Sequence, residues 1–262
     1  MRSIFSFLLL FYSLHSNGQE QFQLAPPLLK YNSIFFSKSA QINILFAQKG
    51  TTIHYTLDGK EPVESSPLYK SPLVITRPFT IVKVRTFGAG YRPSETTTVS
   101  FIKSGLNYSI KEQSPASDKY KGQGLLTLND NKGGFSSLGS PTWLGYNIDT
   151  VTYTFDLGKK TAVKELLFDF LQNEGSWVFL PEKILVYYAE SENAQYKIFG
   201  DVSITPTAPA KGASCVQKRV QSAKQVNARS ILIKIVPVKK MPDWHEAKGE
   251  HSWLFIDEIK VY

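Results

Sequence analysis

The sequence predicts an all-β protein of two sandwiches, a small one followed by a larger one. Three observations carry this. Apolar residues recur with a period of two over most of the chain, the signature of strands with one face buried. Turn signals such as Asp58-Gly59, Ser104-Gly105 and Pro181 interrupt these runs at short intervals. An apolar period of 3.6 nowhere persists for about twelve residues, the length a stable helix needs. Residues 213–228 are the one stretch where a short helix is expected.

The elements follow in order. Ile42, Ile44 and Phe46 alternate with Gln41, Asn43 and Leu45, and Ile53, Tyr55 and Leu57 alternate with Thr52, His54 and Thr56. Val82 and Val84 alternate with Lys83 and Arg85, and Val99 and Phe101 close the series. Short strands between turns, over residues 28–103, make a β-sandwich of immunoglobulin-like size. Residues 104–123 are poor in apolar side chains and read as a boundary and lead-in loop. Strand signals resume with Val151, Tyr153, Phe155 and Leu157, ended by Gly158. Leu166, Phe168 and Phe170, then Ile184, Val186 and Tyr188, then Ile231, Ile233 and Ile235 follow, and residues 253–262 form the last strand. The second sandwich spans residues 104–262.

The N-terminal end carries an export signal. Arg2 is the only charge before Glu20, residues 4–12 are apolar, and residues 13–18 turn small and polar, with Ser16 and Gly18 suited to a peptidase. A membrane span needs about 18 or more apolar residues, roughly twice this run. No cysteine lies near the cleavage point, which argues against a lipid anchor there. Residues 1–18 are thus expected as a cleaved signal peptide and 19–27 as a linker, in a periplasmic, cell-surface or extracellular protein without a membrane span. The single cysteine, Cys215, cannot form an internal disulfide, so stability must come from apolar cores. The net charge of +8 is dispersed rather than clustered, which argues against a nucleic-acid partner. The 17 Phe, 13 Tyr and 4 Trp are more telling, because aromatics favour strands and build sugar- or protein-binding surfaces.

Two resemblances rest on particular residues. Tyr55, Thr56, Asp58, Gly59, Pro62, Ser66, Tyr69 and Pro72, continued by residues 79–95, resemble the small C-terminal β-sandwich module of chitobiases and β-hexosaminidases. Asp58-Gly59 can adopt the positive φ of a tight turn, Pro62 stops strand pairing, and Tyr69 is expected to pack on the sheet and tether its hydroxyl to a loop backbone. Residues 125–134, 150–191 and 241–262 resemble a discoidin, or galactose-binding-like, jelly-roll sandwich of the kind appended to bacterial β-hexosaminidases. Together they look like the tail of such an enzyme without its catalytic barrel.

The resemblance prompts a search for catalytic groups. A retaining exo-hexosaminidase uses a neighbouring Asp-Glu pair, and Asp257-Glu258 is such a pair. On a regular strand the two side chains point to opposite faces and cannot converge on one bond. A barrel of alternating strand and helix is absent from the pattern, and Cys215 lacks a recognisable histidine partner. His245 and His251 with Glu246 or Glu250 match no standard zinc spacing. The chain is therefore expected not to be an enzyme.

The discoidin resemblance also implies a structural Ca²⁺ held by Asn129, Asp130 and Glu258 with loop carbonyls, since hard oxygen donors suit that ion. The competing reading is that Asn129 and Asp130 make an Asx turn and Glu258 pairs with a lysine. Asn131 stands where much of that family has glycine. Sugar recognition needs an aromatic face and convergent polar groups. Three clusters offer them: Trp244 and His245 with Asp243, Glu246 and Trp253; Asn173, Glu174, Ser176 and Trp177; and Trp143 with Tyr146. The first is favoured because it lies in a loop between strands.

Two functional classes follow. One is a secreted, non-catalytic accessory protein binding amino-sugar or galactose-containing glycans. The other is a structural or interaction module docking to a partner glycoside hydrolase, including the case of a detached β-N-acetylhexosaminidase tail.

Overall fold

The structure, a computed structural model, describes residues 21–133, 135–206 and 212–262. The expected signal peptide lies outside these residues. No helix among the described residues is long and apolar enough to cross a membrane.

The first part of the chain forms two small sheets. The strands are β1 (Leu28–Lys30), β2 (Phe35–Phe36), β3 (Ala40–Leu45), β4 (Thr51–Thr56), β5 (Leu73–Ile75), β6 (Phe79–Gly88) and β7 (Thr97–Lys103). One sheet has the order β1-β3-β5 and the other β2-β7-β6-β4. Alternation in β3 buries Ile42 and Ile44, as expected. In β4 the buried position is His54. Its ring lies edge-on to Phe87 at 5.4 Å, its Nδ1 is 2.8 Å from the Ser66 carbonyl, and its Nε2 is 3.1 Å from Thr52 Oγ1. The turn after β4 has Gly59 at φ +80°, and Asp58 Oδ1 accepts from the Lys60 amide at 3.1 Å. Tyr69 tethers a strand rather than a loop: its hydroxyl accepts from the Ile44 amide of β3 at 3.1 Å.

The second part is one antiparallel sheet: β8 (Ser109–Gln113), β9 (Leu144–Tyr146), β10 (Val151–Gln172), β11 (Lys183–Ala189), β12 (Lys197–Ser203), β13 (Ser214–Val236) and β14 (Leu254–Val261). The order is β12-β11-β13-β10-β14-β9, with β8 also on β10. Two expected strands, ending and beginning around Gly158, are a single 22-residue strand, β10. The helix considered for residues 213–228 is instead part of β13, which pairs with β10 along its length. Irregular register between Asp156 and Thr161, and again between Val163 and Glu165, bends this long ribbon. Its two arms can therefore face one another. Tyr153 and Phe155 from one arm and Leu166, Phe168 and Phe170 from the other share a single buried core with Ile184, Val186, Ile231 and Ile233.

Packing divides the described chain into two compact units, one of residues 21–30, 43–72 and 82–98, the other of residues 31–42, 73–81 and 99–262. This division differs from the cut expected after residue 103. The reason is apolar burial: Phe35 and Ile102 share a buried cluster with Leu167 of β10, with Phe79 and Tyr262 packed against it.

Candidate functional site

Two loops at one end of the larger sheet carry the exposed tryptophans Trp177 and Trp244. The first follows β10. Asn173 and Val178 exchange backbone hydrogen bonds at 2.9 and 3.1 Å, closing a short loop over a turn of 3-10 helix, Glu174–Ser176. Trp177 ends that turn in the left-handed region, at φ +65°, with its amide donating to the Glu174 carbonyl at 2.8 Å. A tryptophan seldom adopts such a φ, so the surrounding bonds hold it there. Its carbonyl accepts from the Trp253 amide at 2.8 Å, which joins this loop to the start of β14. The ring is left 38% exposed.

The second loop spans residues 242–253. His245 is buried and both ring nitrogens are engaged. Nδ1 accepts from the Ala247 amide at 3.1 Å, so Nε2 carries the proton and donates to the Glu174 carbonyl at 2.9 Å. That carbonyl thus receives two donors, one from each loop. Trp244 is also 38% exposed, and its ring is 5.9 Å from that of Phe179, which is buried beneath it. Phe179 lies 5.3 Å edge-on to His245 as well. Reading the sequence missed Phe179 as the support for Trp244.

Of the residues expected to contact sugar, Trp177 and Trp244 present accessible rings. His245 does not, because it is buried and spends its polar atoms on the loops. Asn173 is half-buried and closes its loop through its backbone. Trp143 is a correction. It is only 1% exposed, packs with Leu171, Val178 and Phe255, and donates Nε1–H to the Phe135 carbonyl at 3.0 Å. Tyr120 and Leu138 pack against this cluster. Tyr146 is likewise buried, bonded to the Tyr153 hydroxyl at 2.9 Å.

The acidic pair of β14 is a second correction. Leu254, Ile256, Ile259 and Val261 all face the core, and the step of three between Ile256 and Ile259 breaks the alternation. The register shows why: Asp169 faces Glu258 but Phe170 faces Ile256, so Asp257 is the extra residue of a bulge. Asp257 and Glu258 therefore both lie on the side of the strand away from the core. Opposite faces do not keep them apart; burial keeps them from substrate. Each is 0% exposed. Asp257 hydrogen-bonds Asp169, whose pKa is raised by burial, against the hydrogen bonds from Asp257 and Gln217.

Glu258 meets the residues expected as its calcium-binding partners, but around a different cation. Lys260, also 0% exposed, places Nζ 2.5 Å from Glu258 Oε2 and donates to Asn129 Oδ1 at 3.0 Å. Its Nζ also sits 5.8 Å from the centre of the Phe35 ring. Asp130 turns its Oδ1 to the Lys132 amide at 2.8 Å, an Asx turn, and Asn131 supplies the positive φ, +57°, that glycine would otherwise provide. Burial pushes the Glu258 carboxyl up to about 7, opposed by the Lys260 charge. The Glu258 and Asn129 oxygens gather around an ammonium group. The histidines do not converge: His251 Nδ1 is 2.8 Å from the Ser252 carbonyl, and among the described residues no three His, Cys, Asp or Glu side chains are grouped to hold a metal.

The fold and loops define a two-part all-β protein with an aromatic loop surface. Residues 32–98 match the family model of the chitobiase/beta-hexosaminidase C-terminal domain. No curated protein matches the chain. Similar solved structures include the family 32 carbohydrate-binding module of EndoD from Streptococcus pneumoniae, at 12% identity and TM-score 0.39, covering 60% of this chain and 95% of that one. The C-terminal domain of a chitobiase from Bacteroides fragilis is similar at 15% identity and TM-score 0.37, covering 61% and 95%. A GH29 fucosidase from Ruminococcus gnavus is similar at 13% identity and TM-score 0.35, and there the match covers 24% of the longer chain.

Proposed function

We propose that this protein is an exported, non-catalytic accessory module that binds carbohydrate through Trp177 and Trp244. The observation that carries this reading is two tryptophans, each 38% exposed, on loops fixed to each other by the shared Glu174 carbonyl. Covering a large, partly exposed apolar ring is favourable, so a rigidly held tryptophan can contribute to ligand binding. The C–H face of a pyranose is a suitable cover, and a rigid loop presents the ring with little entropy to lose on binding. The chitobiase/beta-hexosaminidase match in the first module supports amino-sugar glycans as the first class to test, with galactose-containing glycans second.

Calorimetric titration with chito-oligosaccharides and galactosides tests the reading. Saturable binding to the native chain that is weakened in both Trp177→Ala and Trp244→Ala supports it, and binding indifferent to both changes removes it. A second reading, docking to a glycoside hydrolase, is favoured by the name of the matched family, which places such modules on these enzymes. Co-elution with a chitobiase or β-hexosaminidase in the absence of glycan would support it.

A further inference from the structure

We infer that the Lys260 ammonium is a built-in replacement for a divalent cation, and that the junction between the loop of residues 129–133 and β14 is held together without calcium. Three features of the site point there. The ammonium lies within ion-pairing distance of Glu258 Oε2 and within hydrogen-bonding distance of Asn129 Oδ1, so oxygens from the strand and the loop converge on one positive charge. Both charged side chains are fully buried, and a carboxylate kept charged there is costly without a counter-charge beside it. The loop itself is packed tightly onto β14, since a Cβ on Gly133 would stand 1.8 Å from Asp257 Oδ2.

A lysine delivers its charge from the same strand as Glu258, two residues on, where alternation returns the side chain to the same face. The pair is thus formed whenever β14 is formed. A metal ion would have to be captured from solution, and its contribution would fall with its free concentration. An internal ammonium removes that dependence. It also has fewer directions of bonding than Ca²⁺, which takes six to eight oxygens, and this agrees with Asp130 turning its carboxylate back to its own loop.

The test is thermal unfolding of the full chain after chelation, with and without CaCl₂. The unmodified protein is expected to melt at the same temperature in chelator and in about 10 mM Ca²⁺, well above the affinity range of extracellular calcium modules. A saturable rise in melting temperature overturns the inference. Lys260→Ser is expected to melt roughly 10 °C lower in chelator, because it strands a buried carboxylate, and to recover in part with Ca²⁺. Failure of Ca²⁺ to restore any stability to a folded Lys260→Ser chain overturns the assignment of Lys260 to a cation's place. Should that variant not fold, the titration of the unmodified chain decides alone. In addition, Lys260→Ser/Glu258→Gln lacks both charges and is expected to fold without responding to Ca²⁺; a response there assigns any calcium effect to other residues and likewise overturns the inference.

Discussion

His245 donates from Nε2 to the main-chain carbonyl of Glu174 at 2.9 Å, across 71 residues of sequence. This bond joins the loop that carries Trp244 to the loop that carries Trp177, and it makes the histidine a positioning residue for both rings. His245→Ala removes the donor and leaves a buried carbonyl and the Ala247 amide short of partners. Stability is expected to fall by about 1–3 kcal/mol, measured by urea unfolding, with glycan affinity falling as well. Unchanged stability would mean the bond is replaced by water.

The tryptophans separate into two groups. Trp143→Ala empties a site walled by Leu171, Val178 and Phe255 and is expected to cost roughly 3–5 kcal/mol. Trp177→Ala and Trp244→Ala should change stability by about 1 kcal/mol or less while weakening glycan binding about tenfold or more. Chemical denaturation and calorimetry on the same three variants read both quantities.

Asp156 ties part of the stability to pH. The Arg229 guanidinium and the Gly158 amide hold its carboxyl at about 2, below the ordinary 3.8. A depressed folded pKa adds stability above the unfolded value, and that stability is lost as the pH falls through the folded value. Arg229→Ala should therefore be less stable than the native chain above about pH 5, with the difference shrinking toward pH 2. Melting temperatures across that window provide the check.

Cys215 should be inert in the folded protein. Burial, together with the nearby Asp169 and Asp257 carboxylates, pushes its thiol well above the ordinary range, so little thiolate forms. Ellman's reagent at about pH 8 is expected to label it only after denaturation. Rapid labelling of the native chain would contradict this placement.

Gly133→Ala should be among the most damaging single changes. The residue has φ +140°, and the added Cβ would overlap Asp257 Oδ2. A loss of about 2 kcal/mol or more is expected, visible as a lowered melting temperature.

How much of this was legible beforehand depended on how local each feature is. Ile42 and Ile44 in β3, and Tyr153 and Phe155 in β10, face the core as their alternation required. Asp58-Gly59 turns where its chemistry demands. The joining of two expected strands into β10 was not legible, because Gly158 can end a strand or sit within an irregular bend of one. In β13, the polar run of residues 217–225 hid its strand character, which comes from pairing along β10 rather than from an apolar face. At the candidate site, Trp177 and Trp244 are exposed, but Trp143 and His245, which are buried, could not be told from them by residue type.

The sequence by itself determined the strand-rich class, the turn around Asp58-Gly59, and the placement of Trp244 in a loop between strands. All of these follow from neighbours within a few residues. Only the tertiary structure decided that Trp143 is buried against Leu171, Val178 and Phe255 while Trp177 and Trp244 stay accessible. It alone placed Asp257 in a bulge, so that two successive carboxylates leave the same face of β14. It also decided that Glu258 and Asn129 hold Lys260. Burial, strand register and charge pairing depend on what distant segments bring alongside, and the spacing of residues along the chain does not record that.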